Sequence, residues 1–255
     1  MQQAEKARRF AALHVKGQPL VLYNVWDAGS ARVVQAAGAP AIGTSSWALA
    51  AAHGFEDGEA LPFDLAETIV KEISASIEVP LTVDFEGGYS DDLDRLRANT
   101  ARIVKTGAVG INFEDRIVKG QGLYGIEQQC RRIEAIRRKA GELGVPLFLN
   151  ARTDLFLESR GTETHALRLG EAKERAAAYA EAGASGIFVP GLADEGLIAD
   201  FCESNPLPVN VMLMEGVPGV ARLRELGIAR VSYGPSPYIA MTAALKEAAS
   251  AVYGR

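Results

Sequence analysis

The 255-residue chain has only two cysteines, three histidines and two tryptophans, and 7% of it is aromatic. Cys130 and Cys202 stand far apart, with no C-x-x-C spacing and no histidine close by, which excludes a disulfide scaffold and a thiolate zinc site. H-E-x-x-H, G-x-S-x-G and P-loop motifs are absent, so zinc-protease, serine-hydrolase and NTPase chemistry lack their residues. Basic side chains are outnumbered, 27 against 32 acidic, for a net charge of −5; this argues against general affinity for nucleic acid or an anionic membrane. No apolar stretch is long enough to span a bilayer, and Met1 to Phe10 contains no apolar signal core. The expected location is a reducing cytoplasm.

What the chain does have is repetition. After an N-terminal helix ending near His14, apolar runs recur at Leu20–Val25, Ala41–Ser45, Leu81–Phe85, Gly110–Glu114, Leu147–Ala151, Gly186–Pro190, Val209–Leu213 and Arg230–Gly234. They lack polar alternation, as parallel strands buried on both faces do. Helical spacing fills the gaps, and several helices end in a glycine followed by a small or apolar residue, as at Gly38, Gly107, Gly144, Gly183 and Gly227; a left-handed C-cap favours that residue. A βα repeat of about 30 residues predicts a (β/α)8 TIM-type barrel, one domain over residues 1–255. A doubly wound open sheet is the alternative, but no topological switch signal supports it.

In a parallel barrel the carboxyl ends of the strands converge on one mouth. Acidic segments fall there: Gly54-Phe55-Glu56-Asp57, Val83-Asp84-Phe85-Glu86, Asn112-Phe113-Glu114-Asp115 and Asn150-Ala151-Arg152-Thr153-Asp154. Taken singly, an acid after a strand is as often a helix cap or a solvated charge, and Asp64 and Asp91 are expected to be caps. Four acids on neighbouring strand ends repel one another unless a cation compensates. A hard divalent ion does this most simply, so Mg²⁺, or Mn²⁺ in its place, is expected at Asp84, Glu86, Glu114 and Asp57, in that order of preference. Mg²⁺ keeps several waters and takes one or two carboxylates directly, so some of the four hold water rather than metal. Asp84 and Glu86, two apart on a strand, are expected to face the same way.

Arg152 is either paired with Asp154 or Glu114 or in contact with the substrate, where a planar guanidinium suits a carboxylate. Ser45, Ser46 and Trp47 offer amides, hydroxyls and an aromatic lid for a developing oxyanion, with a serine N-cap as the plainer reading. Asn210 and Ser232 complete the polar lining. The segment from Arg116 to Gly125 contains G-x-G-x-x-G, but it does not follow its strand directly as a dinucleotide cradle requires. It is expected to be a gate, with Lys119 approaching the substrate on closure.

These motifs resemble the isocitrate lyase and phosphoenolpyruvate mutase superfamily. The matching pieces are Asn24–Arg32, Ser45–Trp47, Gly54–Asp57, Val83–Tyr89, Asn112–Asp115, Asn150–Asp154 and Arg230–Pro235. The resemblance implies a (β/α)8 barrel binding Mg²⁺ and a 2-oxo acid or its enolate. It implies that Asp84, Glu86 and Glu114 serve the metal directly or through water beside Asp57. It also implies that Ser45, Ser46 and Trp47 grip the substrate and that Arg152 contacts it; the family commonly forms tetramers with exchanged terminal helices, and a homo-oligomer, dimer or tetramer, is expected here, with little chain after Ala249 for an exchanged arm. Two signatures of the family are missing. Where its lyases carry Lys-Lys-Cys-Gly-His or Lys-Arg-Cys-Gly-His, this chain has Val118-Lys119-Gly120-Gln121-Gly122; the lysine-then-asparagine gate of the mutases and phosphonopyruvate hydrolases is absent too.

The expected function is therefore a Mg²⁺-dependent lyase that breaks a C–C bond, decarboxylation included, in a small 2-oxo acid or a dicarboxylate yielding one, through a metal-stabilised enolate. Arg152, Glu114 and Lys119 are the candidate catalytic residues. The alternatives are phosphonopyruvate-type P–C cleavage and a non-catalytic 2-oxo acid binder. A nucleotide-dependent oxidoreductase using Gly120–Gly125 is a further rival.

Overall fold

The computed structural model describes residues 2–158 and 161–254, the side chain of residue 162 excepted. Eight strands appear where the apolar runs fall: β1 Leu20–Leu22, β2 Ile42–Gly43, β3 Leu81–Asp84, β4 Gly110–Glu114, β5 Phe148–Arg152, β6 Gly186–Phe188, β7 Val209–Met212 and β8 Arg230–Ser232. All pair in parallel, in the order β1-β8-β7-β6-β5-β4-β3-β2. Between β1 and β2 the ring is joined just beyond the strands, where Val25 N–H donates to Gly43 O at 2.9 Å and Ser45 N–H to Val25 O at 3.1 Å. The result is a nearly closed (β/α)8 barrel.

The helices are α1 Gln3–Ala12, α2 Ala28–Ala36, α3 Ser46–Ala52, α4 Phe63–Ala75, α5 Leu93–Lys105, α6 Ile126–Glu142, α7 Thr162–Glu181, α8 Glu195–Ser204, α9 Val220–Glu225 and α10 Ser236–Tyr253. The five punctuating glycines all have positive φ, from 69° at Gly144 to 104° at Gly107, the C-cap conformation that a Cβ disfavours. Two cap expectations are corrected. Asp92, not Asp91, caps α5 by accepting from Arg95 N–H at 2.8 Å. Asp64 lies in the first turn of α4 and pairs with Arg102 at 2.6 Å.

Helix α1 plugs the amino-terminal end of the barrel. Phe10 is fully buried and meets Phe148 edge-on at 5.5 Å, while His14 stacks on Phe148 at 3.8 Å. The plug needs Gly110, where a Cβ would lie 2.6 Å from the Phe10 ring and 2.8 Å from Thr82 Oγ1. Burial, together with Arg230, lowers His14 to about 3, so it is neutral, and its Nδ1–H donates to Phe10 O at 2.9 Å. With this end filled by rings, polar side chains gather at the carboxyl end, where strand register sets Asp84 beside Asn112, Asn112 beside Asn150, and Glu114 beside Arg152.

Candidate active site

A cavity of about 190 Å³ opens at the carboxyl ends of the strands. Ser45, Ser46, Trp47, Asp57, Asp84, Arg152 and Ser232 line it, as do Asn24 and Asn112, with Leu157, Phe188 and Met212 supplying apolar wall. Seven residues singled out from sequence are thus brought together. Glu86, Glu114, Asn210 and Lys119 do not line the cavity, and each has a traceable place elsewhere.

Asp84 ends β3. Its Oδ2 accepts the Ser46 hydroxyl at 2.8 Å and the Ser46 N–H at 3.1 Å, while its buried Oδ1 has no partner. Ser45 caps α3, its Oγ accepting Ala48 N–H at 3.3 Å. Both Ser46 donors are therefore committed to Asp84, which leaves the Ser45 hydroxyl proton and the Trp47 N–H for a ligand. Trp47 stands at the rim, braced edge-on by Tyr238 at 6.1 Å.

Glu86 does not share a strand face with Asp84. The strand stops at Asp84, and Glu86 has φ 49°, which turns its carboxylate away from the period-two alternation. Oε2 accepts Glu59 N–H at 2.8 Å and Oε1 accepts the Tyr89 hydroxyl at 3.3 Å. Glu59 Oε1 in turn accepts Tyr89 N–H at 2.7 Å. Glu59, Glu86 and Tyr89 are the non-glycine residues at positive φ among those described. Their left-handed backbone is held by this mutual bonding, the kind of local strain that collects at functional sites.

Glu114 is buried and meets Arg152 Nη1 at 3.0 Å. Asp154 takes the other side of the guanidinium, Oδ1 to Nε at 2.6 Å and Oδ2 to Nη2 at 2.8 Å. Both sequence readings of Arg152 thus have a basis, since it is paired with both acids and also lines the cavity. Burial works against its charge, but Glu114, Asp154 and Asp84 outweigh that and hold it protonated.

The opposite holds for the acids. Burial raises Glu114 well above the carboxylate range, with Arg152 opposing and Asp154, Asp84 and Glu86 adding to the rise. Asp57, at the rim, is raised by desolvation and by Asp84. Glu86 is pushed to about 8 by burial first, then by Asp84 and Asp57. Asp115, next to Glu114 in sequence, faces the other way, accepting from Tyr179 Oη at 2.8 Å and Arg175 Nη1 at 3.1 Å. It pins the end of the segment from Arg116 to Gly125, because Tyr124 N–H donates to Asp115 O at 2.8 Å and Arg175 also reaches Tyr124 O at 2.9 Å.

Glu86 keeps its proton in the native state up to about 8 but loses it near 4.5 when unfolded, so its stabilising effect is present below pH 4.5 and lost as pH rises through 8. His14 acts oppositely between about 3 and 6.5, whereas Glu114, which burial also raises, adds to the fall above that. Metal-free protein is expected to lose on the order of 2 kcal/mol between pH 6.5 and 8, roughly 5 °C in Tm. Thermal melts in chelator should show this fall in wild type and a shallower one in Glu86→Gln; a wild-type melt that is flat or rises over that window contradicts it.

The segment from Arg116 to Gly125, expected to be a gate, folds back on itself, with Ile117 N–H donating to Gly122 O at 3.0 Å. Val118 sits over Gly87, within 2.9 Å of where a Cβ would be. Lys119 lines neighbouring clefts with Glu59 rather than the cavity.

Several contributors were not identified from sequence. Arg132 on α6 donates to Gly87 O at 2.6 Å and to Gln129 Oε1 at 2.8 Å, and Gln129 donates to Glu114 O at 3.1 Å. One helix face therefore holds the backbone that carries Glu86 and Glu114. Beneath the cavity, Asn150 Nδ2 donates to Asn112 Oδ1 and to Asn210 Oδ1, each at 3.0 Å. Asn210 bonds Ser232 Oγ at 3.3 Å, which makes it a support of the lining rather than part of it. The available signal was a polar residue inside an apolar strand at Asn112, Asn150 and Arg230.

No three acidic, imidazole or thiol groups among the described residues form a ready-made ligand set for a metal. The buried, unpartnered Asp84 Oδ1 amid acids raised by burial and by one another nevertheless fits a cation that draws on one protein oxygen and completes its shell with water.

Residues 10–253 match the phosphoenolpyruvate phosphomutase family. An uncharacterised protein of Mycobacterium tuberculosis is 35% identical over 95% of this chain and 88% of its own length. The 2-methylisocitrate lyase of Bacillus subtilis is 30% identical over 84% of this chain and 69% of that one. A crystal structure from Burkholderia cenocepacia J2315, assigned provisionally as a phosphonomutase, superposes over 100% of both chains with a TM-score of 0.94 and 44% identity. The chain belongs to the phosphoenolpyruvate phosphomutase family, within the superfamily of lyases and mutases that also contains the isocitrate lyases.

Proposed function

We propose that the protein is a Mg²⁺-dependent carbon–carbon lyase, Mn²⁺ serving in its place, that acts on a small 2-oxo acid or on a dicarboxylate yielding one. The observation that carries this is the unpartnered, buried Oδ1 of Asp84 in the wall of a small cavity that also holds Arg152 and the donor end of α3. Asp84 would hold Mg²⁺ directly and Glu86, Glu114 and Asp57 would hold it through water; the bound ion would supply positive charge to offset a developing enolate. The Ser45 hydroxyl and the Trp47 N–H donate to the reacting oxygen. Arg152 spends three of its five N–H groups on Glu114 and Asp154 and has two left for a substrate carboxylate. Trp47, Leu157, Phe188 and Met212 restrict water, and Ser232, steadied by Asn210, completes the lining. Lys119 takes part only if its loop moves inward from the Glu59 cleft.

The 30% identical 2-methylisocitrate lyase favours C–C cleavage. The phosphoenolpyruvate phosphomutase family match supports P–C cleavage as the second reading. A Mg²⁺-dependent screen of oxaloacetate, substituted malates and phosphonopyruvate for pyruvate release separates them, with release from a C–C substrate expected. Release from phosphonopyruvate alone selects the second reading. Tight 2-oxo acid binding without turnover, and without exchange of the pyruvate methyl protons in D₂O, would leave a binder.

The two thiols are free and no described helix is long and apolar enough to cross a membrane. Helix α10 buries only Pro237 and exposes Ile239, Leu245 and Val252, a face that supports the proposed homo-oligomer; light scattering reads the assembly directly.

A further inference from the structure

Arg230 opens β8 in the barrel interior, 1% exposed, and makes no ion pair among the described residues. Its Nη2 donates to Asn112 Oδ1 at 3.1 Å and its Nε to Ser232 Oγ at 3.3 Å; Nη1 is buried without a partner. An unpaired buried cation is costly, and an apolar side chain of similar size would fill the space at less expense. Burial lowers Arg230 only to about 9, with Asp84 opposing, so it is charged at neutral pH. The charge lies directly under two residues of the cavity lining.

Its effect on Asn112 follows from hydrogen-bond capacity. Asn112 Oδ1 receives two donors, Arg230 Nη2 and Asn150 Nδ2 at 3.0 Å. Turning the amide over would set N–H against N–H on both sides, so the orientation is fixed. Asn112 Nδ2 has no acceptor among the described residues, and Asn112 lines the cavity. We propose that Arg230 is a positioning residue that locks the Asn112 amide N–H₂ toward the cavity, creating a charge-backed donor site for an anionic substrate oxygen at the floor, away from the carboxylate wall. The site then holds two separate anion-directed elements. Arg152, flanked by Glu114 and Asp154, is largely neutralised, whereas Arg230 has no counter-charge of its own and awaits one from the ligand.

This inference rests on the acid-binding reading above, and the test keeps the two apart. Oxalate, a planar dianion of enolate shape, is titrated calorimetrically with and without Mg²⁺ into wild type, Arg230→Met, Arg230→Lys, Asn112→Ala and the Arg230→Met/Asn112→Ala double variant. Arg230→Met and Asn112→Ala are each expected to weaken binding by roughly 10- to 100-fold. The double variant should be little worse than either, and Arg230→Lys should recover part of the loss. Arg230→Met should melt no lower than wild type, an outcome that a purely structural role does not give; should it fail to fold, Arg230→Lys and Arg230→Gln carry the comparison. Binding by folded Arg230→Met within twofold of wild type, or losses that multiply in the double variant, overturns the proposal. Wild-type binding that ignores Mg²⁺ ends the metal reading while the Arg230–Asn112 coupling stays measurable, and a wild type that binds no oxalate overturns both.

Discussion

Replacing Arg152 with Met is expected to destabilise the protein by about 3–5 kcal/mol, the cost of removing one partner from a buried ion cluster. The guanidinium is the cation in contact with both Glu114 and Asp154, whose side chains are 5% and 2% exposed, and it is 16% exposed itself. Methionine fills much of the same length but donates nothing, so two buried carboxylates must take up protons or draw in water. Chemical denaturation at pH 7 measures the loss, and a change below about 1 kcal/mol would show that the cluster is solvated in a way its burial denies. Lysine should recover only part, because an ammonium cannot bond Asp154 through two parallel N–H groups while also reaching Glu114. Adding Glu114→Gln to Arg152→Met should return some stability, since one of the two buried acids left without a partner is then gone.

Asp84→Ala should act in the opposite manner, with little effect on folding and a large one on chemistry. Its Oδ1 bonds nothing and its Oδ2 bonds only Ser46, so the structural loss is small. Removing its charge also relieves Glu86, Asp57 and Glu114, all of which it pushes upward. Metal-free Asp84→Ala is therefore expected to melt at or above wild type. The rise in wild-type Tm on adding Mg²⁺ should vanish in the variant. Turnover of any substrate found in the screen should fall by roughly 1,000-fold or more, about 4 kcal/mol of transition-state stabilisation. Metal-dependent activity within tenfold of wild type would move the metal away from Asp84.

Much of this was readable in the chain. The apolar runs marked all eight strands because parallel strands buried on two faces carry no competing alternation. The acids could be placed at one mouth because barrel topology, once recognised, fixes where strand ends go. Legibility failed where a side chain's direction depended on backbone outside a regular element. Glu86 was expected to align with Asp84, but a left-handed residue two past the strand end breaks the period. Long-range partners were also hidden: nothing local tells Arg132 that it will hold Gly87, or Arg230 that it will meet Asn112 118 positions away. The segment from Arg116 to Gly125 was the least legible, since Val118 packs inward on Gly87 while Lys119 sits beside Glu59.

The join between β1 and β2 gives the barrel an uneven stiffness. Strands β4 and β5 are in register over five residue pairs, from Gly110 with Phe148 to Glu114 with Arg152, whereas the first and second strands meet only through the bonds around Val25. The ion cluster of Glu114, Arg152 and Asp154 thus stands on the rigid side, while Ser45 and Trp47 stand beside the compliant seam. Slow breathing there would alter the space offered to a substrate's outer end without disturbing the charges opposite. Amides of Val25 and Ser45 should accordingly exchange with solvent sooner than those of β4, and changes in acyl size are most readily accommodated along that seam.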